Sequence, residues 1–518
     1  MQTMKVCRAG LAALLALVAC SSEPAAPATK PTNIMQLRPL HVAADHRIVD
    51  DLDREVLLRG TNITSLGEYW QGDPQHLPTA ELTEQDWQDL AAQGFSVIRL
   101  VVHWSRLEPV RGTLDAKYLA KIDAYVTSAA QHGLYTVIDM HQDAYTAFLH
   151  TDNPADCTGT TGPAKGWDGA PAWAVISDGL STCTQGDRNS SPAVTAAWQH
   201  FYANTDGIRD RFVATWGGVA AHFAGRAEVA GYDLLNEPEV PAPGNEIAPL
   251  YNQLMADTVT AIRAAEAQAA FGHLLIIELA IGAGHPNFGL VIPKPASVGL
   301  ATDNVVFGPH NYAESIGNGL AMSLEQMSKV YRAMGDGFGA PTWIGEHGFW
   351  STSAETLEKL GRYAKDEDAN VLGGAWWQWR QPCGDPHSVP YGGYAATGAK
   401  NQQIHLNGLA CPGDVDLGPT NELLRVVSRG YVRVAPGRVS KLASDWTTGQ
   451  LDVAATGAQA GAALLVWTPT GAATHAVTGE NLVDLQEHAV PGGRWLTAKT
   501  TKAGAWSLHV QAKTAAAP

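Results

Sequence analysis

Two short stretches of this chain carry residues arranged for acid–base chemistry. Val229-Ala-Gly-Tyr-Asp-Leu-Leu-Asn236-Glu237-Pro238 is an apolar run that ends at an amide, an acid and a proline. Continuous apolar character is the mark of a strand buried on both faces, and proline cannot continue a ladder, so Glu237 is expected where strand becomes loop. Pro341-Thr-Trp-Ile-Gly345-Glu346-His-Gly348 presents a second acid in the same way. Two carboxylates delivered to the same end of a parallel sheet suit glycoside hydrolysis: one protonated to serve the leaving oxygen, one ionised to attack the anomeric carbon. A single strand-end glutamate would carry little weight; the pair carries the argument.

The elements that must hold this pair follow a rhythm. Apolar runs at Val56–Gly60, Val97–Val101, Tyr135–Met140, Val229–Leu235, His273–Ile277, Val305–Phe307, Thr342–Ile344 and Gly374–Trp377 are eight strand candidates. Helical periodicity separates them, as over Ala116–His132 and Tyr251–Ala269. Strands alternating with helices predict an α/β fold with a parallel sheet, and eight such units over this length predict a (β/α)8 barrel. The Gly-x-Gly-x-x-Gly turn of a dinucleotide site is missing after the first strand. A hairpin of Leu40–Ala43 and Arg47–Val49 is expected to plug the bottom of the barrel. Beyond about Arg433 to Val439, short alternating segments at Leu451–Ala454, Ala463–Trp467, Trp495–Ala498 and Trp506–Val510 predict a small C-terminal antiparallel β-sandwich, a packing appendage rather than a binding module.

The domain boundaries read as 1–20 a signal segment, 21–39 a flexible tether, 40–432 the barrel and 433–518 the sandwich. Lys5 and Arg8 precede the run Leu11 to Ala19, which is too short to span a bilayer and ends at Cys20. Leu17-Val-Ala-Cys20 resembles a bacterial lipobox, which implies export, lipidation of Cys20 and attachment to the cell envelope. With Cys7 inside the signal, four cysteines remain, and an exported protein should join them locally as Cys157 with Cys183 and Cys383 with Cys411. Their spacing does not suit a zinc site, and no metal or cofactor is expected. A net charge of −16 argues against nucleic acid or an anionic surface as an electrostatic partner. The expected oligomeric state is a monomer.

Around the two acids the strand ends carry further polar groups: Arg99 on strand two, His141 and Asp143 after strand three, Asn236 before the first acid, His310 and Tyr312 after strand six, and Trp379 after strand eight. These residues resemble glycoside hydrolase family 5, the cellulase-type retaining hydrolases on a (β/α)8 barrel, over about 40–431. That resemblance implies that Glu237 is the acid/base and Glu346 the nucleophile, with the other residues binding substrate. The run Asp139-Met-His-Gln-Asp143 followed by Asp168-Gly-Ala-Pro-Ala-Trp173 is similar to the endoglycoceramidase branch, which also has a C-terminal β-sandwich and cuts between glycan and ceramide. The long insertion from Asp143 to about Ala197 leaves the C-terminal end of strand three and is expected to wall one side of the cleft, its Trp167 and Trp173 forming an apolar slot for lipid chains. One departure stands just after strand one: the branch places a glycan-binding lysine there, and this chain reads Asn62-Ile-Thr-Ser-Leu66.

Three further expectations follow. The carboxyl groups should be about 5 Å apart. Arg99 and Tyr312 should keep Glu346 ionised, and that charge should keep Glu237 protonated. The competing readings are an endo-β-glucanase or mannanase with a long polar cleft, and a non-catalytic carbohydrate-binding lipoprotein.

Overall fold

A computed structural model of the chain describes residues 35–69, 77–159, 162–163, 166–184, 188–239, 241, 244–279, 304–316, 322–385, 404–411, 413–472 and 475–511. The expected signal, Cys20 and most of the tether lie outside the described residues. All eight predicted barrel strands are present: β1 (Arg59–Ile63), β2 (Val97–His103), β3 (Tyr135–His141), β4 (Val229–Asp233), β5 (Leu274–Ile277), β6 (Val305–Phe307), β7 (Trp343–His347) and β8 (Gly373–Trp376). They pair in parallel in the order β6-β5-β4-β3-β2-β1-β8-β7. The remaining seam between β6 and β7 is joined by parallel bridges, Phe307 with Thr342 and His310 with Glu346. The last of these brings His310 directly beside Glu346.

Local sequence sets the helices between the strands. The helix Ala116–Gln131 starts at Asp115, whose carboxylate accepts the amides of Lys117 and Tyr118, and it buries Tyr118, Ile122, Tyr125, Val126 and Ala129. The helix Gly244–Ala265 begins earlier than its apolar spacing predicts and contains Pro249. Leu324–Phe338 opens on a capping box of Ser323 and Gln326 and closes on Gly339 at φ 71°, a left-handed backbone that glycine adopts without steric cost.

The barrel is filled from below by Val97, Tyr135, Val137, Ala230, Leu274, Ile276, Val306, Trp343 and Ala375, with Leu40 and Val56 packed against them. The hairpin Leu40–Val42 with Ile48–Asp50 thus does close the bottom, but it belongs to another sheet. With Arg54–Val56 it joins Tyr431–Pro436 and three later strands in a seven-stranded sheet. The first barrel strand accordingly begins at Arg59, since the apolar run from Val56 serves the crossing between sheets. A four-stranded antiparallel sheet faces the seven-stranded one, and the two bury a core around Val453, Val466, Trp467, Trp495 and Trp506. Sandwich strands Arg438–Ser444 and Leu482–Val490 were not expected, because much of each is exposed and lacks apolar alternation.

Barrel and sandwich meet through a buried ion cluster. Arg59 pairs with Asp368 at 2.8 Å, and Arg429 pairs with Asp368 at 2.9 Å and Glu367 at 3.0 Å. Ser444 donates its amide and its hydroxyl to Asp368. Gly94, at φ 70°, lies under the Trp467 indole, where a Cβ would come within 2.2 Å of the ring. Both expected disulfides are formed, Cys157–Cys183 inside the β3 insertion and Cys383–Cys411 after β8.

Candidate active site

Arg99 is the hub. Strand β2 runs on to His103, so Arg99 lies inside the barrel beneath the acids rather than at the strand end, and it is fully buried. Its Nε donates to Asp233 at 2.9 Å, Nη1 to Glu346 at 2.8 Å and to Asn62 at 3.1 Å, and Nη2 to Glu278 at 2.8 Å and to Asn236 at 3.0 Å. Asp139 adds an ion pair at 3.0 Å. The carboxylates of Asp139, Asp233 and Glu278 lie close enough together to suggest a cation site, and the guanidinium already supplies that cation.

Glu346 is 4% exposed. One of its oxygens takes the Arg99 bond, and the other accepts from the Tyr312 hydroxyl at 2.9 Å. Burial and the neighbouring Glu346 hold the Tyr312 phenol well above its ordinary value, so it stays a donor. Burial pushes the Glu346 carboxyl up, and the opposing pull of His310 and Arg99 does not cancel it. The sequence-based expectation weighed only the charges; desolvation is the larger effect here.

Glu237 stands opposite. Oxygen atoms of Glu237 and Glu346 lie within 4.8 Å of each other and of a ring nitrogen of His310, the close approach that a retaining pair of carboxyl groups about 5 Å apart requires. His310 Nδ1 is 2.8 Å from Glu237 and 3.5 Å from Glu346, and its Nε2 is 3.2 Å from Glu278. Burial disfavours the imidazolium, but the surrounding carboxylates outweigh it and hold His310 well above the ordinary histidine value. Glu237 itself has a left-handed backbone, φ 37°, uncommon for a glutamate. Gln142 donates to the carbonyls of Asn236 and Glu237 at 2.9 and 2.8 Å, and Glu278 accepts the Glu237 amide at 2.8 Å.

His141 ends β3, with Nδ1 2.7 Å from Asp139 and Nε2 3.5 Å from Asp143, and it stacks on Trp377 at 5.3 Å. Burial opposes its charge, yet the Asp139 carboxylate keeps it well above its ordinary value. The aromatic that joins the site is thus Trp377, whose bond to Gln378 is cis, and not Trp379. Trp379 is fully buried, its indole donating to Asp86 at 3.2 Å. Trp173 also takes a different place: its indole donates to the Glu108 carbonyl at 2.8 Å, it packs edge-on against Trp104 and lies under Arg111. It anchors the insertion to the barrel instead of lining a slot. Between the insertion and β3, Trp104, Met140, Tyr145, Trp198 and Phe201 line a pocket of only about 20 Å³, room for a water and not for a lipid chain.

Arg99, Asn236, Glu237, His310, Tyr312 and Glu346 are brought together as expected, with His141 and Asp143 alongside. Sequence reasoning missed Glu278 and Trp377. Glu278 directly follows the apolar strand β5, the same signature that identified Glu237 and Glu346.

The cellulase model of glycosyl hydrolase family 5 matches residues 49–381. An endoglycoceramidase from Cyanea nozakii is 32% identical over 202 residues, 37% of this chain and 40% of that protein. Endoglycoceramidase I from Rhodococcus hoagii is 27% identical over 290 residues, 51% of each. The matches thus span about half or less of these curated relatives. A crystal structure of an endogalactoceramidase superposes with a TM-score of 0.83 at 35% identity, covering 92% of this chain and 100% of that one. Endo-glycoceramidase II from Rhodococcus sp., in its ganglioside GM3 complex, shares the fold at a TM-score of 0.67 and 20% identity, over 90% of this chain and 99% of that one. The chain belongs to glycosyl hydrolase family 5, in its endoglycoceramidase-like branch.

Proposed function

We propose that this protein is a retaining glycosidase that cuts the β-bond between a sugar headgroup and a lipid aglycone. The observation that carries the reaction is the pair of carboxyl groups with oxygens within 4.8 Å, one of them caged by Arg99 and Tyr312. Glu346 attacks the anomeric carbon as the bond to the aglycone oxygen breaks, and Glu237 protonates that oxygen. Water then enters, gives its proton to Glu237 and displaces Glu346 from the covalent glycosyl-enzyme. The imidazolium of His310 faces both carboxyl groups, so it offsets negative charge whichever of them carries it.

The lipid aglycone is supported by likeness to the endogalactoceramidase over that enzyme's whole length. Exposed Phe148, Ile316 and Trp350, on loops leaving β3, β6 and β7, are consistent with an apolar substrate, and Trp350 stands 5.6 Å from Tyr312 as a stacking surface at the rim. Incubation with galactosylceramide, glucosylceramide, a ganglioside and a soluble glucan, with the released sugar identified and Glu346→Gln as control, tests the reading. Release from a glycolipid that Glu346→Gln abolishes supports it; release from the glucan alone favours the glucanase reading.

The protein acts, in this proposal, as an exported monomer anchored through a lipid on Cys20. Two disulfides are consistent with an oxidising compartment. Cys20→Ala should release the protein from the membrane fraction, and retention there would refute the anchor.

A further inference from the structure

Glu278 is a third strand-end carboxylate, 2% exposed, at the end of β5. Each of its oxygens is engaged with the machinery on either side. One accepts from Arg99 Nη2 at 2.8 Å and stands 3.2 Å from His310 Nε2; the other accepts the Glu237 amide at 2.8 Å. We propose that Glu278 is the positioning residue of the acid/base: by holding the amide of Glu237 and setting its carboxylate beside the far nitrogen of His310, it fixes the direction in which Glu237 gives and takes its proton.

Two observations make this more than a buried ion pair. Glu237 occupies a left-handed backbone at φ 37°, a conformation that persists in a glutamate only when its surroundings fix it. Glu278 fixes the amide side of that residue while Gln142 fixes the carbonyl side. Moreover, a carboxylate set beside one ring nitrogen favours a proton there and so biases what the other nitrogen does. With Nε2 against Glu278, Nδ1 of His310 points at Glu237 and Glu346. Loss of Glu278 would therefore loosen proton transfer at Glu237 first and leave nucleophilic attack by Glu346 less affected, because Arg99 Nη1 and Tyr312 still hold that carboxylate.

The inference rests on Glu237 being the acid/base, and the test separates the two. A series of aryl glycosides of rising leaving-group ability is hydrolysed by the wild type, Glu278→Gln, Glu278→Asp and Glu237→Gln. Proton assistance matters for poor leaving groups and not for a dinitrophenolate, so loss of it appears as a steeper dependence of kcat/KM on leaving-group pKa. Glu278→Gln should lower kcat/KM by about 30-fold for the poorest leaving group and by less than about 3-fold for dinitrophenol, with azide restoring part of kcat. Glu278→Asp, which keeps the charge but withdraws it from the Glu237 amide, should move the same way. Equal loss across the series overturns the proposal while leaving Glu237 in its role. If Glu237→Gln itself shows no leaving-group dependence, the assignment of the acid/base is wrong. If neither Glu278 variant folds, Glu278 serves stability and the proposal falls.

Discussion

Two buried clusters in this molecule are built from the same parts and do different work. At the junction of barrel and sandwich, Arg59 and Arg429 face Asp368 and Glu367, two cations for two anions. Burial there tends to raise Asp368, but Arg429 and Arg59 prevail and its carboxyl sits below the ordinary value. At the top of the barrel, Arg99 faces four carboxylates, Asp139, Asp233, Glu278 and Glu346, with His141 beside Asp139 and His310 beside Glu278, Glu346 and the further acid Glu237. Burial, with Glu278 adding to it, drives Asp233 well above its ordinary value, and Glu346 is raised too. A balanced cluster keeps its charges and locks two domains; an acid-rich one has displaced acidities, the condition for moving a proton near neutral pH. The imbalance costs stability that the rest of the barrel must supply.

Removing the central arginine on each side is the strongest way to break this comparison. Arg99→Met should lower kcat/KM on the order of 10³-fold, because Glu346 loses its main donor. Arg429→Met should cost about 3 kcal/mol in chemical denaturation, yet leave kcat per folded molecule within about a factor of two. Equal loss of activity in both would mean that the clusters are not separable.

Next in size is pH dependence. Glu346 must be ionised to attack, and burial raises its carboxyl, so the acid limb of kcat/KM on a soluble aryl glycoside should lie above the ordinary glutamate value of 4.5. An acid limb below that value would contradict the burial argument. The limb will belong to Glu346 and the His310 beside it together.

The smallest effect concerns stability. An acid raised in the folded state binds its proton more tightly than in the unfolded chain, so its contribution is present at low pH and is lost as pH rises through the folded value. Glu346→Gln should therefore stabilise the fold at pH 7 by about 1 kcal/mol, with the gain shrinking in acid. For Asp368 the sign reverses: its contribution is present above the ordinary value of 3.8 and is lost only as pH falls through its lower folded value. Asp368→Asn should accordingly destabilise at pH 7, which thermal unfolding at pH 7 and in acid will show.

Barrel strands were legible because each is an apolar run stopped by a polar residue, and Asn236, Glu237, His310, Tyr312 and Glu346 could be placed because they sit at or near those stops, whereas Arg99 lies inside its strand. The N-terminal hairpin was placed beneath the barrel correctly, but it joins its sheet through Arg54–Val56, whose partner strand lies far along the chain, as in Val56 beside Val434, and no local pattern encodes such pairing. Gly374-Ala-Trp-Trp-Gln-Trp379 offers three tryptophans at one strand end. Nothing in their spacing tells that Trp377 faces His141 while Trp379 turns to Asp86. Trp173 shows the same limit: an aromatic in a long loop reads equally as a wall or as an anchor. Glu278 was legible by the rule already applied to Glu237 and Glu346, and only the hydrogen bonds reveal that it serves them.

Trapping with a 2-deoxy-2-fluoro glycoside that carries an activated leaving group, followed by peptide mass spectrometry, tests the pair of acids most directly. The account predicts a stoichiometric adduct on Glu346, absent in Glu346→Gln, and sugar released with its anomeric configuration retained. An adduct on another residue, or inverted product with no adduct, would contradict it.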